Sequence, residues 1–322
     1  MKLLIVIVNF NSADLAIDCL RSLAAQRADL GETDVKVVIT DNASTDDSVG
    51  RIGTAIATNG WGQWVDPKRL PRNGGFAYGN NAAIAPALGT SDKPTFILLL
   101  NPDTIVRPGA IQTLLDFMEK NPQVGIAGSR LEDPDGTAQR SAFRFHSIAG
   151  EFERGIRIGF VTKLLAARMI APPVSDHAEA CDWVAGAAMI VRTAVFEQVG
   201  LMDEKYFMYF EEVDFCRRAA AAGWKCWYMP ESRVVHLVGA VSQISDNRKH
   251  RRRRPPYWFE SRRRYFVKNH GRFYATLADL AFLIGFACWR LRRFIQRKDD
   301  TDPPRLLLDS IAHSVFFRGW VV

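Results

Sequence analysis

Three places in the sequence put carboxylates where they could do chemistry. The first is Asp103, at the end of the stretch 95–106, TFILLLNPDTIV. Phe96 to Leu100 is wholly apolar, as a strand buried on both faces reads, and Pro102 ends it. Asp103 therefore sits at the C-terminal end of a core strand, the edge where open α/β sheets bind ligands. It either caps a turn or acts as a hard oxygen ligand for a divalent cation that also grips a diphosphate. The second place is YFMYFEEVDFCRR, 206–218, where a helix from about Glu211 to Ala222 carries Glu211, Glu212 and Asp214 in its first turn. Compensation of the helix dipole and an Asp214–Arg218 i,i+4 pair account for one or two of these acids. Adjacent Glu211 and Glu212 behind an aromatic run exceed that need. Like charges held close raise the pKa of one of them, which suits a general base. The third is Asp41, which with Asn42 follows the apolar run 35–40. It can accept from a base imide or a ribose hydroxyl, or close an Asx-turn. His236, after two valines, reads as structural unless the fold makes it a partner of Asp103.

The elements that must position these groups follow from hydrophobic period. The run 3–8, LLIVIV, reads as a central parallel strand, and a helix capped by Asn11 or Ser12 reaches about Ala25. With the strand 35–40 this makes a βαβ unit whose ligand edge holds Asn9, Asn11, Asp41 and Asn42. There is no GxGxxG and no GxxxxGK[ST], so neither a dinucleotide-binding fingerprint nor a P-loop is present. In NGGFAYGNN, 73–81, Gly74-Gly75 opens a helix to about Leu88, either to offer N–H groups to an anion or as a tight turn. Further on, the pattern predicts a helix over 110–120, a strand over 124–128 and a hairpin at Pro134-Asp135-Gly136. The stretch 141–179 shows no clear periodicity and reads as a mobile loop over the site. Gly186 suggests a close backbone approach before a strand at 188–191, and a helix at 193–199 follows. A strand over 224–229 is expected to end at Pro230.

The chain of 322 residues allows one large domain or two modest ones and is too apolar, at 48% hydrophobic residues, for a disordered chain. Its formal charge of +7 makes an anionic partner plausible. Five scattered cysteines without CxxC spacing fit reduced thiols in a cytosolic compartment, and no signal-peptide core is evident.

Taken together, these stretches resemble the family-2 glycosyltransferases of GT-A fold, in particular the bacterial rhamnosyltransferase-like branch. The resemblance rests on VIVNFNS (6–12), DNASTD (41–46), NGGFAYGNN (73–81), LLLNPDT (98–104), WVAGAAMIV (183–191), YFMYFEEVDFCRR (206–218) and VVHLVGAVS (234–242). It implies an α/β fold, a Rossmann-like mixed sheet flanked by helices, over 1–242, with a basic helical extension over 243–322. It also implies roles. Asp41 looks like the base-recognising acid, with Asn9, Asn11, Asn42, Asn73, Gly74 and Gly75 around the nucleotide. Asp103 looks like the metal-binding Asp of a DxD motif whose first position is here Asn101, and His236 matches a position that completes the site for Mg²⁺ or Mn²⁺. Glu211-Glu212 aligns with the family's acid pair, so Glu212 is the expected base and Asp214 its alternate. Trp183 and Gly186 match an acceptor-side segment.

The activity so implied is metal-dependent, inverting transfer of a hexose to a hydroxyl. The donor expected from the resemblance is dTDP-rhamnose. A UDP-sugar (galactofuranose, glucose or N-acetylhexosamine) is the alternative. The acceptor expected is a polyprenyl-diphosphate-linked or polysaccharide glycan of the cell envelope. A sugar nucleotidyltransferase would want a Gly-rich, basic N-terminal loop that 3–12 lacks. A non-catalytic nucleotide- or membrane-binding scaffold would not need Asp41, Asp103, Glu212 and His236 together.

Past Ser242 the sequence turns basic and aromatic, with Arg248 to Arg254, Arg262 to Arg264, and Tyr257, Trp258 and Phe259 interleaved. Such a composition suits nucleic acid or an anionic membrane, and the catalytic core favours the membrane. The run 275–289, apolar except for Asp279, is shorter than the ~20 residues of a spanning helix. It is expected to lie on the inner face of the cytoplasmic membrane with its arginines at the headgroups, or else to pack on the catalytic domain. No nucleic acid is expected, and a homo-oligomer is left open.

Overall fold

A computed structural model describes residues 2–27, 34–237 and 252–321. The last residues of the VVHLVGAVS segment, the 242/243 boundary and Arg248 to Arg251 lie outside them. The chain divides into two compact units. The first comprises Met1–Ala142, Pro173–Phe207 and Glu211–Val241, and the second Phe143–Pro172, Met208–Phe210 and Ser242–Val322.

In the first unit the elements run β1 (Leu3–Asn9), α1 (Ala13–Gln26), β2 (Val35–Asp41), α2 (Ser48–Thr58), β3 (Val65–Arg69), α3 (Gly75–Leu88), β4 (Phe96–Leu100), β5 (Thr104–Val106), α4 (Ala110–Lys120) and β6 (Val124–Glu132). After β7 (Ala142–Phe143) come two helices of the second unit, α5 (Ile148–Ile156) and α6 (Gly159–Leu164). The first unit resumes with β8 (Glu179–Cys181), β9 (Trp183–Val184), β10 (Ala188–Arg192), α7 (Thr193–Val199), α8 (Glu211–Ala221) and β11 (Lys225–His236).

Its main sheet has the order β3-β2-β1-β4-β10-β6-β11-β5, with β8 also on β11. β1 to β4 pair in parallel, β10 is antiparallel to β4 and β6, β11 is parallel to β6, and β5 is antiparallel to β11. The sheet is therefore mixed, as anticipated. β1, β4 and β10 are the apolar runs of the sequence because helices cover both of their faces: Leu3, Ile7, Ile97, Leu99, Met189 and Ile190 are essentially inaccessible. α1 and α4 lay their periodic apolar residues (Leu20, Leu23; Ile111, Leu114, Leu115, Met118) into the same core.

Several expectations change. β11 does not stop at Pro230. It continues to His236, and Pro230 falls in a register shift between Met229 and Arg233, where a missing donor breaks no ladder bond. Ser12 precedes α1, but its hydroxyl donates to Asn9 Oδ1 rather than capping the helix. Cys181 and Cys226 are cross-strand partners with Sγ atoms 3.8 Å apart, and both remain free thiols.

The second unit is helical: α5, α6, α9 (Pro256–Ile295, broken at Gly271 with φ 82°), α10 (Leu306–Ala312) and α11 (Val315–Arg318). The stretch expected to be a loop over the site thus contains α5, which packs along α9. Its periodicity is hidden by Gly150 and Gly155. A Cβ at Gly155 would come within 2.9 Å of Phe282 O, and one at Gly285 within 2.9 Å of Phe152 O, so the two helices meet backbone to backbone. Arg262 does not face a headgroup either. It is buried, donating to Glu151 Oε2 at 2.8 Å and to Asp279, while Glu151 also receives His146 and Arg154. Burial alone would raise the Glu151 carboxyl, but Arg154 and Arg262 outweigh it and hold it well below the usual carboxylate range.

Candidate active site

The C-terminal ends of β1 and β2 build the first part of the site. Asn9 Nδ2 donates to Asp41 Oδ2 at 2.7 Å, and the Asn42 amide donates to the Asn9 carbonyl at 2.8 Å. Asp41 Oδ1 receives the Ser44 amide at 2.8 Å and its Oδ2 the Ser44 hydroxyl at 2.6 Å. Asp41 thus closes an Asx-type turn, and Oδ1 retains capacity for one further donor. Asn11, with φ 51°, donates its amide to Ser44 Oγ and accepts from the Thr45 amide at 2.8 Å. Ser44 ties Asn9, Asn11 and Asp41 into one loop. It was not singled out in the sequence, although its Asp-x-x-Ser spacing marks such a turn.

The Gly-Gly turn lies beside this loop. Asn42 Nδ2 donates to Gly75 O at 2.9 Å, and Asn73 Oδ1 accepts from the Gly75 amide at 3.1 Å. Gly74 precedes α3 under the Tyr78 ring. Gly75 has φ 87°, and a Cβ there would stand 1.8 Å from Phe207 O. The next amide, Phe76 N, donates to that same carbonyl at 3.0 Å. Only glycine fits this position, because the turn closes directly onto Phe207 O.

Phe76 leads to the acids. A Cβ at Gly186 would lie 3.1 Å from the Phe76 ring and 3.9 Å from Glu212 Cβ, so the three residues adjoin. Trp183 and Val184 of β9 pack against α8. Glu211 is buried, and Glu212 beside it is half-buried. Glu212 Oε2 is itself inaccessible and makes no hydrogen bond among the described residues. Desolvation pushes its carboxyl up to about 7. Asp214 differs: it is fully buried, accepts from Tyr206 OH at 3.3 Å and pairs with Arg218 at 3.0 Å. Arg218 also donates to Val199 O and Leu201 O, so Asp214 anchors α8 to the segment after α7.

The remaining part is reached through Ala187, whose carbonyl accepts from the Asn101 amide at 3.0 Å. Asn101 opens the turn between β4 and β5 that carries Asp103. The β5–β11 ladder pairs Thr104 with His236 and places His236 Nε2 3.5 Å from Asp103 Oδ1. That oxygen is buried and has no hydrogen-bond partner among the described residues. On the other side of the ring, Nδ1 faces Gln139 Oε1 at 3.3 Å, and Gln139 Nε2 donates to His236 O at 2.9 Å. Gln139 was missed. It follows the Pro134-Asp135-Gly136 turn, and nothing local distinguishes it from an ordinary hairpin residue. No group of three or more His, Cys, Asp or Glu side chains converges among the described residues. An orphaned carboxylate oxygen beside an imidazole is a donor pair that fits Mg²⁺ or Mn²⁺ when phosphate oxygens supply further ligands.

The profile of the family described as Glycosyl transferase family 2 matches residues 4–171, and that of Glycosyl transferase family group 2 matches residues 96–291. The chain belongs to glycosyl transferase family 2. It is 30% identical over 221 residues to the N-acetylglucosaminyl-diphospho-decaprenol L-rhamnosyltransferase of Mycobacterium tuberculosis, covering 64% of this chain and 67% of that one. It is 28% identical over 169 residues to rhamnosyltransferase WbbL of Escherichia coli, covering 51% and 61%. Among solved structures it is similar to the mannosyltransferase PcManGT from Pyrobaculum calidifontis in complex with GDP-Man and Mn²⁺, with TM-score 0.55, 14% identity, and 99% and 82% of the two chains covered. S. aureus TarS 1-349 in complex with UDP-GlcNAc also gives TM-score 0.55, at 14% identity, with 100% and 84% covered. These glycosyltransferases share the fold, so the mixed sheet and its flanking helices are the GT-A architecture the resemblance implied.

Proposed function

We propose that this glycosyltransferase moves L-rhamnose from dTDP-rhamnose, with inversion, onto a hydroxyl of a polyprenyl-diphosphate-linked glycan in cell-envelope synthesis, at the inner face of the cytoplasmic membrane. The observation that carries the chemistry is the continuous edge from Asn9 and Asp41 through Gly75, Phe76 and Gly186 to Glu212, joined at Ala187 to the Asp103 turn. The donor and acceptor classes rest on the two rhamnosyltransferase relatives, one of them named for a GlcNAc-diphospho-decaprenol acceptor.

In this reading Asp41, Asn9, Asn11, Asn42 and Asn73 hold the nucleoside, and Gly74-Gly75 brings backbone close to it. Asp103 and His236 would hold Mg²⁺ or Mn²⁺, which when bound neutralises the diphosphate as a Lewis acid. Glu212 takes the proton of the acceptor hydroxyl. The hydroxyl oxygen bonds to the anomeric carbon as the bond from that carbon to the diphosphate breaks on the opposite face, which inverts the configuration. A carboxyl raised to about 7 is basic enough to take that proton and is ionised just above neutrality. Gly186, whose Cβ position adjoins Glu212, and Trp183, on the strand β9 that packs against α8, would line the acceptor side.

The test is thermal stabilisation by dTDP-rhamnose, UDP-sugars and GDP-mannose, each with Mn²⁺ and with EDTA, followed by transfer to a short polyprenyl-diphosphate-GlcNAc. A Mn²⁺-dependent shift specific to dTDP-rhamnose and a product of opposite anomeric configuration are expected. A shift with UDP-sugars alone would overturn the rhamnose assignment.

A further inference from the structure

The solvent side of the second unit is apolar where an ordinary helix surface is charged. Of the 14 exposed large hydrophobic side chains among the described residues, all but Val49 belong to this unit. Phe273, Leu280, Ile284 and Leu291 are all exposed on the second half of α9, and at 100° per residue they fall within an arc of about 40°. Phe294 and Ile295 extend the stripe by a turn. The opposite face of the same helix is apolar too, but covered: Ala278, Phe282, Gly285 and Phe286 pack inward, Gly285 against α5. Between Arg272 and Arg290 the one charged residue is Asp279, and it is buried with Arg262. A helix apolar on both faces and covered on one leaves the other for a second apolar phase.

The flanks extend this surface. Trp320 Nε1 lies 3.3 Å from Thr276 Oγ1, and Arg272 stands 5.9 Å over its ring, so Trp320 sits beside the start of the stripe. At the far end Arg292 donates to the carbonyls of Ile156 and Arg157, which lead into α6 with its exposed Phe160 and Leu164. Charge selects the occupant. The second unit has 23 Lys and Arg against 9 Asp and Glu, a net +14, while the rest of the chain has 19 against 26, a net −7. A second copy would bring +14 against +14, whereas an anionic lipid surface is complementary to it.

We propose that the stripe from Phe273 to Ile295, with Trp320 at its edge, inserts into the headgroup–acyl boundary of an anionic bilayer, so that the half of α9 after Gly271 lies in the membrane plane. The inference rests on the reading of a lipid-linked acceptor for its purpose, though not for its test. Residues 275–289 do not present one uniform apolar run to lipid. Their inward half is taken by α5, and the exposed half makes the insertion face. Arg272 precedes its first residue, Phe273, and suits headgroup level there, and Trp320 takes the interfacial place that suits a ring with one polar edge.

The 322-residue protein is sedimented with vesicles of phosphatidylcholine containing phosphatidylglycerol, and with pure phosphatidylcholine, with no donor or acceptor present. Binding to the anionic vesicles is expected, weakened by salt, with quenching of tryptophan fluorescence by brominated acyl chains. The triple substitution Leu280→Ser, Ile284→Ser, Leu291→Ser changes exposed positions only and is expected to keep the melting temperature while losing about tenfold or more in vesicle affinity. Ile284→Trp is expected to hold or tighten binding. No binding of the wild-type chain, equal binding of the triple variant, or a dimer that the triple variant dissolves would overturn the proposal. Vesicle binding without rhamnosyl transfer would remove the donor assignment and leave this face standing, and transfer without vesicle binding would do the reverse.

Discussion

His236 Nε2 lies 3.5 Å from Asp103 Oδ1, and the Leu237 amide donates to the Asp103 carbonyl at 2.9 Å. The end of β11 therefore grips the Asp103 turn by both side chain and backbone. Gln139 in turn holds His236 by its carbonyl and its Nδ1. Removing Asp103 or His236 (Asp103→Ala, His236→Ala) should abolish or strongly weaken Mn²⁺-dependent nucleotide binding. Gln139→Ala should weaken it about 10- to 100-fold, as loss of a group that orients a ligand does. Calorimetric titration of nucleotide at fixed Mn²⁺ measures all three, and unchanged affinity in Gln139→Ala would remove its positioning role.

Glu212 offers a prediction with two opposite signs. In the proposed role of base it must be ionised, so kcat should rise with pH through about 7, and Glu212→Gln should cost about 10²–10⁴-fold in transfer while donor binding survives. Stability should move the other way. The folded-state pKa lies above the usual 4.5, so the unfolded chain ionises first and folding is penalised progressively from about pH 4.5 to about 7. Above neutrality Glu212→Gln should therefore be more stable than the wild type, by about 1–3 kcal/mol, and equal to it near pH 4. Urea denaturation at the two pH values checks the difference.

In the second unit, Arg262 is placed between Glu151 and Asp279. Arg262→Leu would leave buried Asp279 without its cation and Glu151 with only Arg154 and His146, and should destabilise by about 3–5 kcal/mol. The depressed Glu151 carboxyl contributes stability that is present above its unfolded value and lost as pH falls through its folded one. The deficit of the variant should accordingly shrink in acid. Chemical denaturation followed by circular dichroism measures it.

Gly75→Ala tests the turn. The added methyl would meet Phe207 O and force a non-glycine residue to φ 87°, so a loss of about 1–3 kcal/mol and weakened nucleotide binding are expected. Wild-type melting temperature in this variant would show that the turn and Phe207 can separate freely.

Much of the first unit was legible in the sequence because its information is local. Phe96 to Leu100 and Leu3 to Val8 read as strands because burial on both faces demands unbroken apolar runs, and the polar residues after each run necessarily fall at one edge of the sheet. The acids of α8 read as special because three carboxylates in one turn exceed what a helix terminus needs. Tertiary structure decided what depends on distant partners. The pairing of Asp103 with His236 is set by the β5–β11 register, and Gln139 matters only because the hairpin after β6 ends beside His236. α5 was hidden because its contact with α9 uses glycines, which remove the apolar period while permitting closer backbones. The same limit applies to α9. Periodicity shows that both of its faces are apolar, but which one the protein covers follows from where α5 packs. Arg262 reads as a surface cation until Glu151 and Asp279 are brought to it, because a charge is buried only where its counter-charges are folded around it.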